Sequence, residues 1–227
     1  MITSPGQGPA PDPVQALIVV DVQSAFVTGE HAVPHAGRVL DSTAALLKAA
    51  RDAGALVVHL QNDGPPGADD APHTPGWQLH FPPLDGELVL HKTVDDGFEE
   101  NPLAERLREA GAGALAICGV QSEMCVGATA RAALERGFRV VMPHDAHATY
   151  DIPAAEGISG PVPAAMVSRV AEWALGDEVE VVAGAADVRF SSDTADTKSS
   201  AATANPPDTA PNPTTPSRPP VTSPAAE

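Results

Sequence analysis

ALAICGVQSEMCVGATARAALERGFRVVMP, residues 114–143, is the stretch on which the fold turns. It opens on a short apolar run, Ala114–Cys118, bounded by Gly119, which reads as a buried strand. Ser122 then begins an alanine-rich helical stretch that runs to Glu135. Gly137 stops it, since glycine takes the left-handed conformation of a helix end without steric cost. A second apolar run, Arg139–Met142, follows at once. Strand, helix and strand in this order mark a βαβ unit, and so a parallel sheet.

The alternation extends in both directions. Strands are expected at Ala16–Val20, Ala55–Leu60, Glu87–His91 and Val179–Val182, and helices at Gly37–Ala53, Pro102–Ala110 and Pro163–Leu175. The pattern specifies an α/β fold with three α/β/α layers around a Rossmann-like, mostly parallel six-stranded sheet, in one domain over 14–190. A Pro/Gly-rich arm (1–13) precedes it, and a Pro/Ala/Thr-rich tail (191–227) follows. The tail has too few large apolar residues to offset its ordering entropy, so disorder is expected there. Residues 61–86 interrupt the alternation. Dense in Pro and Gly and without helical period, they read as a lid or pocket wall, or as a surface insertion.

Composition narrows the partners. Asp and Glu number 30 against 13 Lys and Arg, a formal net charge of -17, with no basic stripe to displace counterions; nucleic acid is not expected. The longest apolar runs fall far short of the roughly 20 residues of a bilayer span, so no membrane is expected either. The first residues have neither a basic n-region nor an apolar h-region. Cys118 and Cys125 lie within one strand-to-helix unit, a poor arrangement for a disulfide, and a reducing, cytoplasmic setting fits. A small molecule remains as the expected partner.

Three chemically able residues fall at three strand ends: Asp21 after ALIVV, Lys92 after ELVLH, and Cys125 shortly after ALAICG. In an open parallel sheet the carboxyl ends share one edge, and ligands bind in the crevice there. With Ser122 as N-cap, Cys125 falls in the first turn of a helix. Free N–H groups and the macrodipole there favour a thiolate, and a nearby Lys92 acts in the same sense. Asp21 would then be the general base and acid. Each residue also has a plain structural use: Asp21 as a turn former, Lys92 as a solvated charge, Cys125 as core filling. Their joint occurrence, each at the carboxyl end of a strand, makes coincidence less likely.

The segments ALIVVDVQSAF (16–26), HKTVDDGF (91–98) and ICGVQSEMCVGATARAALERGFRVVMPHDAHAT (117–149) resemble the three signature regions of the isochorismatase-like cysteine hydrolase family. That family includes nicotinamidases and N-carbamoylsarcosine amidohydrolase. The resemblance implies that Asp21, Lys92 and Cys125 form a catalytic triad. It also implies a cis peptide between Val120 and Gln121, directing the Gln121 N–H to an oxyanion beside that of Cys125, and a homodimer or homotetramer. The implied reaction is cysteine-dependent cleavage of an amide-like C–N bond through a thioester. Two alternatives stand beside it: a non-amide, isochorismatase-type ether hydrolase, and a catalytically silent α/β binding domain.

The chain departs from the family pattern in places. Ala25 stands where many members carry Asp, and Gln121 where many carry Thr or Ala. The Asp-x-His metal pair of nicotinamidases is missing after the second strand, where the chain reads His59-Leu60-Gln61-Asn62-Asp63-Gly64. His59, His73 and His80, with Asp63, Asp69 and Asp70, follow no compact ligand spacing, so no metal and no cofactor are expected. Phe26, Trp77, Phe98 and Tyr150 fall in or beside loops of the active edge and are candidates for lining an apolar pocket.

Overall fold

Five consecutive buried apolar residues, Ala16–Val20, form β1, the strand at the centre of the sheet. The computed structural model describes residues 12–193. Apart from 12–13 and 191–193, the expected N-terminal arm and C-terminal tail lie outside the described residues. β1 pairs in parallel with β2 (Leu56–Asn62) on one side and β4 (Ala114–Val120) on the other. β3 (Leu88–Lys92) extends the sheet beyond β2, while β5 (Arg139–Pro143) and β7 (Val179–Val182) extend it beyond β4. The order is β3-β2-β1-β4-β5-β7. A two-residue strand, β6 (His147–Ala148), pairs with the end of β4 and makes a seventh. Two residues carry no periodicity, so sequence pattern gave six.

Successive side chains of a strand point to opposite faces, and the two faces are covered by different helices. Leu17 and Val19 enter one layer with Val57, Ala116 and Cys118; Ala16, Ile18 and Val20 enter the other with Leu60, Leu115 and Ile117. A four-residue α1 (Ser24–Val27) follows β1. α2 (Ala36–Ala53) then seals the first layer with Val39, Thr43, Leu46, Leu47 and Ala50, which recur at helical spacing. It ends at Gly54, with φ of 67°, whose N–H returns to the carbonyls of Ala50 and Arg51. α3 (Leu103–Glu109), α4 (Gly127–Glu135) and the end of α5 (Ala164–Ala174) close the second layer through Leu103, Leu107, Ala130, Ala133 and Leu175. Each fully buried Leu or Ile contributes roughly 1.5–3 kcal/mol relative to exposure.

The single helix expected over Ser122–Glu135 is two pieces. Ser122–Val126 forms a wide turn, in which the Gln121 carbonyl accepts the N–H groups of Met124 (3.2 Å) and Val126 (3.1 Å). Met124 there has φ -106° and ψ -109°, and regular helix begins only at Gly127. The strand order reverses between β1 and β4. The helix after β1 lies on one face and the helix after β4 on the other, which opens a crevice at their carboxyl ends.

Gly119 makes the close contact of these two strands possible. Its φ is +125°, and a Cβ would meet the Val20 carbonyl oxygen at 2.0 Å. Gly119→Ala is therefore expected to destabilise the protein by at least about 2 kcal/mol, combining backbone strain with overpacking. Denaturant unfolding of the variant beside the parent measures this, and an unchanged midpoint would refute it.

Candidate active site

Asp21 is the first residue past β1; its φ of 50° turns the chain out of the strand while its N–H still bonds the Leu60 carbonyl at 3.0 Å. Lys92 is the last residue of β3, two strands away. At about 4.8 Å per strand the gap is about 10 Å. The lysine closes it by crossing the end of β2. Its Nζ donates to the Val94 carbonyl at 3.2 Å and to Asn62 Oδ1 at 3.5 Å, pairs with Asp21 Oδ2 at 2.7 Å, and lies 3.2 Å from Cys125 Sγ. Cys125 arrives from the opposite side, in the wide turn after β4. The structure thus brings Asp21, Lys92 and Cys125 together, with Asp21 and Lys92 each 2% exposed. The peptide bond between Val120 and Gln121, at the entrance to the turn, is cis.

The electrostatics differ from the sequence expectation. Burial pushes Asp21 from the ordinary 3.8 up to about 6, against the lowering pull of Lys92. Burial acts to lower Lys92, but the Asp21 charge, with hydrogen bonds to Asp21 and Cys125, outweighs it and holds the ammonium above its usual range. The Cys125 thiol is pushed up by burial first and by the Asp21 charge second, with Lys92 opposing. A resting thiolate is therefore not the form this site favours. Cys125 precedes the first residue of α4 by two places, so it does not lie in the helical first turn expected for it.

Asp95 was not singled out from sequence. It is exposed, yet its Oδ1 accepts a hydrogen bond from Cys125 Sγ at 3.4 Å, and among the described residues no Lys or Arg forms an ion pair with it. The acidic pair Asp95-Asp96 in HKTVDDGF was visible, but nothing in its spacing to Cys125 was.

The long connection is an ordered wall. Two buried glutamines strap it to the segment after Asp21: Gln23 Nε2 donates to the carbonyls of Asn62 and Trp77, both at 3.0 Å, and Gln61 Nε2 donates to the Trp77 carbonyl at 2.8 Å. Backbone bonds from Ser24 to Gln78, Ala25 to Gly76 and His80 to Val22 complete the strap. Ala25 is held against Gly76, where a Cβ would meet its own at 3.0 Å.

The aromatic candidates part company. Phe98 is a core residue, 6% exposed and stacked on Phe138 with the Arg136 guanidinium over its ring, so its expected place in a pocket wall is wrong. The preceding Gly97 packs against Leu60 and Thr129, where a Cβ would not fit. Phe26 and Tyr150 pack partly buried against the α2 layer, Tyr150 donating its hydroxyl to the His31 carbonyl at 2.7 Å. Trp77 stacks on His91 and donates its indole N–H to Asp63 at 2.7 Å. An open cavity of about 380 Å³ lies between α1 and the wall, lined by Ala25, Glu30, His31, Asp69 and neighbours. None of the four aromatics borders it.

The histidines weighed as ligands do not converge. His59 bonds Glu87 at 3.1 Å, while His73 and His80 rest against Trp77 and Phe81. Among the described residues, the ligand-type side chains that do meet in a group of three are His144, His147 and Glu172, each histidine hydrogen-bonded to Glu172. No helix among the described residues is long and apolar enough to cross a membrane.

Comparison with known proteins agrees with this architecture. The isochorismatase domain model matches residues 15–157. The chain is 69% identical over 182 residues, 79% of its length and 72% of the relative's, to a streptothricin hydrolase of Streptomyces noursei. Among solved structures it is similar to an isochorismatase from Pseudomonas putida KT2440, with 28% identity and a TM-score of 0.73 over 82% of this chain and 100% of that one. It is also similar to N-carbamoylsarcosine amidase from Thermoplasma acidophilum, with 26% identity and a TM-score of 0.59 over 74% and 94% of the two chains. From strand order, edge residues and these likenesses together, the chain belongs to the isochorismatase family of hydrolases.

Proposed function

We propose that the protein hydrolyses an amide-like C–N bond of a small molecule, with Cys125 as the nucleophile. The observation that carries this reading is a single ammonium, Lys92 Nζ, lying 2.7 Å from Asp21 and 3.2 Å from Cys125. Cys125 Sγ attacks the carbonyl carbon as its proton passes to Asp21. The oxyanion is received by the N–H groups of Gln121 and Cys125. Asp21 returns the proton to the leaving nitrogen, the C–N bond breaks, and a thioester remains on Cys125. Water, losing its proton to Asp21, attacks the thioester, and the thiol regains that proton as the acid departs. A base poised near neutrality suits both directions of transfer, and burial has brought Asp21 toward that range.

The substrate proposed first is streptothricin, because the relative that shares 69% of aligned residues is named for its hydrolysis. The exposed Asp95 carboxylate beside the thiol would repel a carboxylate at the acyl end of a substrate. Neutral or cationic acyl groups are favoured accordingly.

Incubation with streptothricin should release a new amine, followed by mass spectrometry, with Cys125→Ala inactive and an acyl adduct on Cys125 trapped by acid quench. Full activity in Cys125→Ala would overturn the reading. The kcat/KM profile should fall on the acid side through about pH 6, where the free Asp21 carboxylate takes up its proton. Asp21→Asn should remove that limb and cost roughly 10² to 10⁴ in rate. Lys92→Met removes the charge that lowers Asp21, so any residual acid limb should move to higher pH. The same change leaves a buried carboxylate unpaired and should cost about 3–5 kcal/mol of stability by denaturant titration. An acid limb that stays in place would show that Lys92 does not govern Asp21.

A further inference from the structure

Behind the catalytic turn, on the side away from Lys92, runs a second set of buried polar side chains that the mechanism above does not use. Ser122 Oγ lies 2.8 Å from His147 Nδ1, and His147 Nε2 lies 3.0 Å from Glu172 Oε1. Ser122 and His147 are 0% exposed and Glu172 is 1% exposed. Glu172 is held ionised, since hydrogen bonds from His147 and His144 outweigh the burial that would raise it. A carboxylate only accepts, so His147 Nε2 is the donor to Glu172. Ser168 Oγ, one turn before Glu172 on α5, meets Ser122 Oγ at 2.9 Å. Glu172 is itself pinned by His144 Nδ1 at 2.5 Å and by Arg169 at 3.1 Å.

The anchors come from separate elements. His147 belongs to β6, paired in register with Gly119 at the end of β4, whereas Ser168 and Glu172 belong to α5. Ser122 is the point where both grip the turn, and it stands between Gln121 and Cys125, whose N–H groups are the proposed oxyanion donors. The turn has little regular hydrogen bonding of its own, since Met124 is non-helical. Buried polar groups are costly to bring from water and must all be satisfied, so a chain of this kind holds one arrangement.

We propose that Ser122, His147 and Glu172 are positioning residues that hold the oxyanion donors of the wide turn in register with the Cys125 nucleophile. The inference rests on the reading of Cys125 as nucleophile, and its test separates the two. The probes are p-nitrophenyl acetate and iodoacetamide. With the ester, Sγ attacks the acetyl carbon, the thiol proton passes to Asp21, an oxyanion forms, and p-nitrophenolate leaves as its C–O bond breaks. With iodoacetamide, the same sulfur displaces iodide from a methylene carbon and no oxyanion forms. Ser122→Ala should slow the p-nitrophenolate burst by roughly 10- to 100-fold and leave alkylation of Cys125 within about twofold of the parent, because misplaced donors harm the first reaction alone. Glu172→Gln, which keeps the side-chain volume, should show the same split and serves if Ser122→Ala fails to fold. An unchanged burst, or a parallel fall of burst and alkylation, would overturn the positioning role. A burst that persists in Cys125→Ala would instead refute the nucleophile itself.

Discussion

An ammonium and a carboxylate withdrawn from water at the end of the sheet set the terms for the rest of this molecule. Taking such charges out of water costs several kcal/mol per ion even after relaxation, so the Lys92 and Asp21 pair persists only where each is held by further partners. Asn62 and the Val94 carbonyl supply them for the lysine. For the aspartate the supply is incomplete: Oδ2 meets Lys92, while Oδ1 is buried and without a hydrogen-bond partner among the described residues. A buried oxygen left so costs about 1–3 kcal/mol. In the proposed mechanism it is the atom free to take the thiol proton and hand it to the leaving nitrogen.

That pair explains the chemistry of the sulfur as well. Cys125 sits beside Lys92 and two carboxylates, the buried Asp21 and the exposed Asp95. Burial and the Asp21 charge hold the thiol protonated, and Lys92 limits the effect without reversing it. In the proposed mechanism, proton transfer to Asp21 therefore accompanies attack by the sulfur.

Precision at this edge comes from elements that do not themselves react. Gln23 and Gln61 hold the 63–87 connection as a wall, and the buried Ser122, His147 and Glu172 grip the turn from behind. Both devices use side-chain hydrogen bonds where the backbone is irregular and cannot satisfy itself by a ladder, which is where buried polar groups most need partners. The acidic triad edge, the wall and the turn are therefore separate pieces brought to one point by the sheet order.

Sequence by itself determined the layers and the three side chains that meet at the sheet edge. Apolar runs such as Ala16–Val20 and the helical spacing of Val39, Leu46 and Ala50 are local periodicities that burial enforces, so strands, helices and parallel class were legible, as were Asp21, Lys92 and Cys125 at strand ends. Tertiary structure alone decided what depends on distance between segments. It set β3 two strands from β1, so that Lys92 must cross Asn62 to reach its partner. It also placed Asp95 on the thiol and Phe98 in the core. It broke the expected helix at Met124 and left Cys125 outside the regular turns of α4. The two-residue β6 and the grip of His147 and Glu172 on Ser122 were likewise beyond pattern. A hydrogen bond between residues 25 positions apart leaves no period in a sequence, because its energy depends on where the folded chain puts the two atoms and not on their spacing along it.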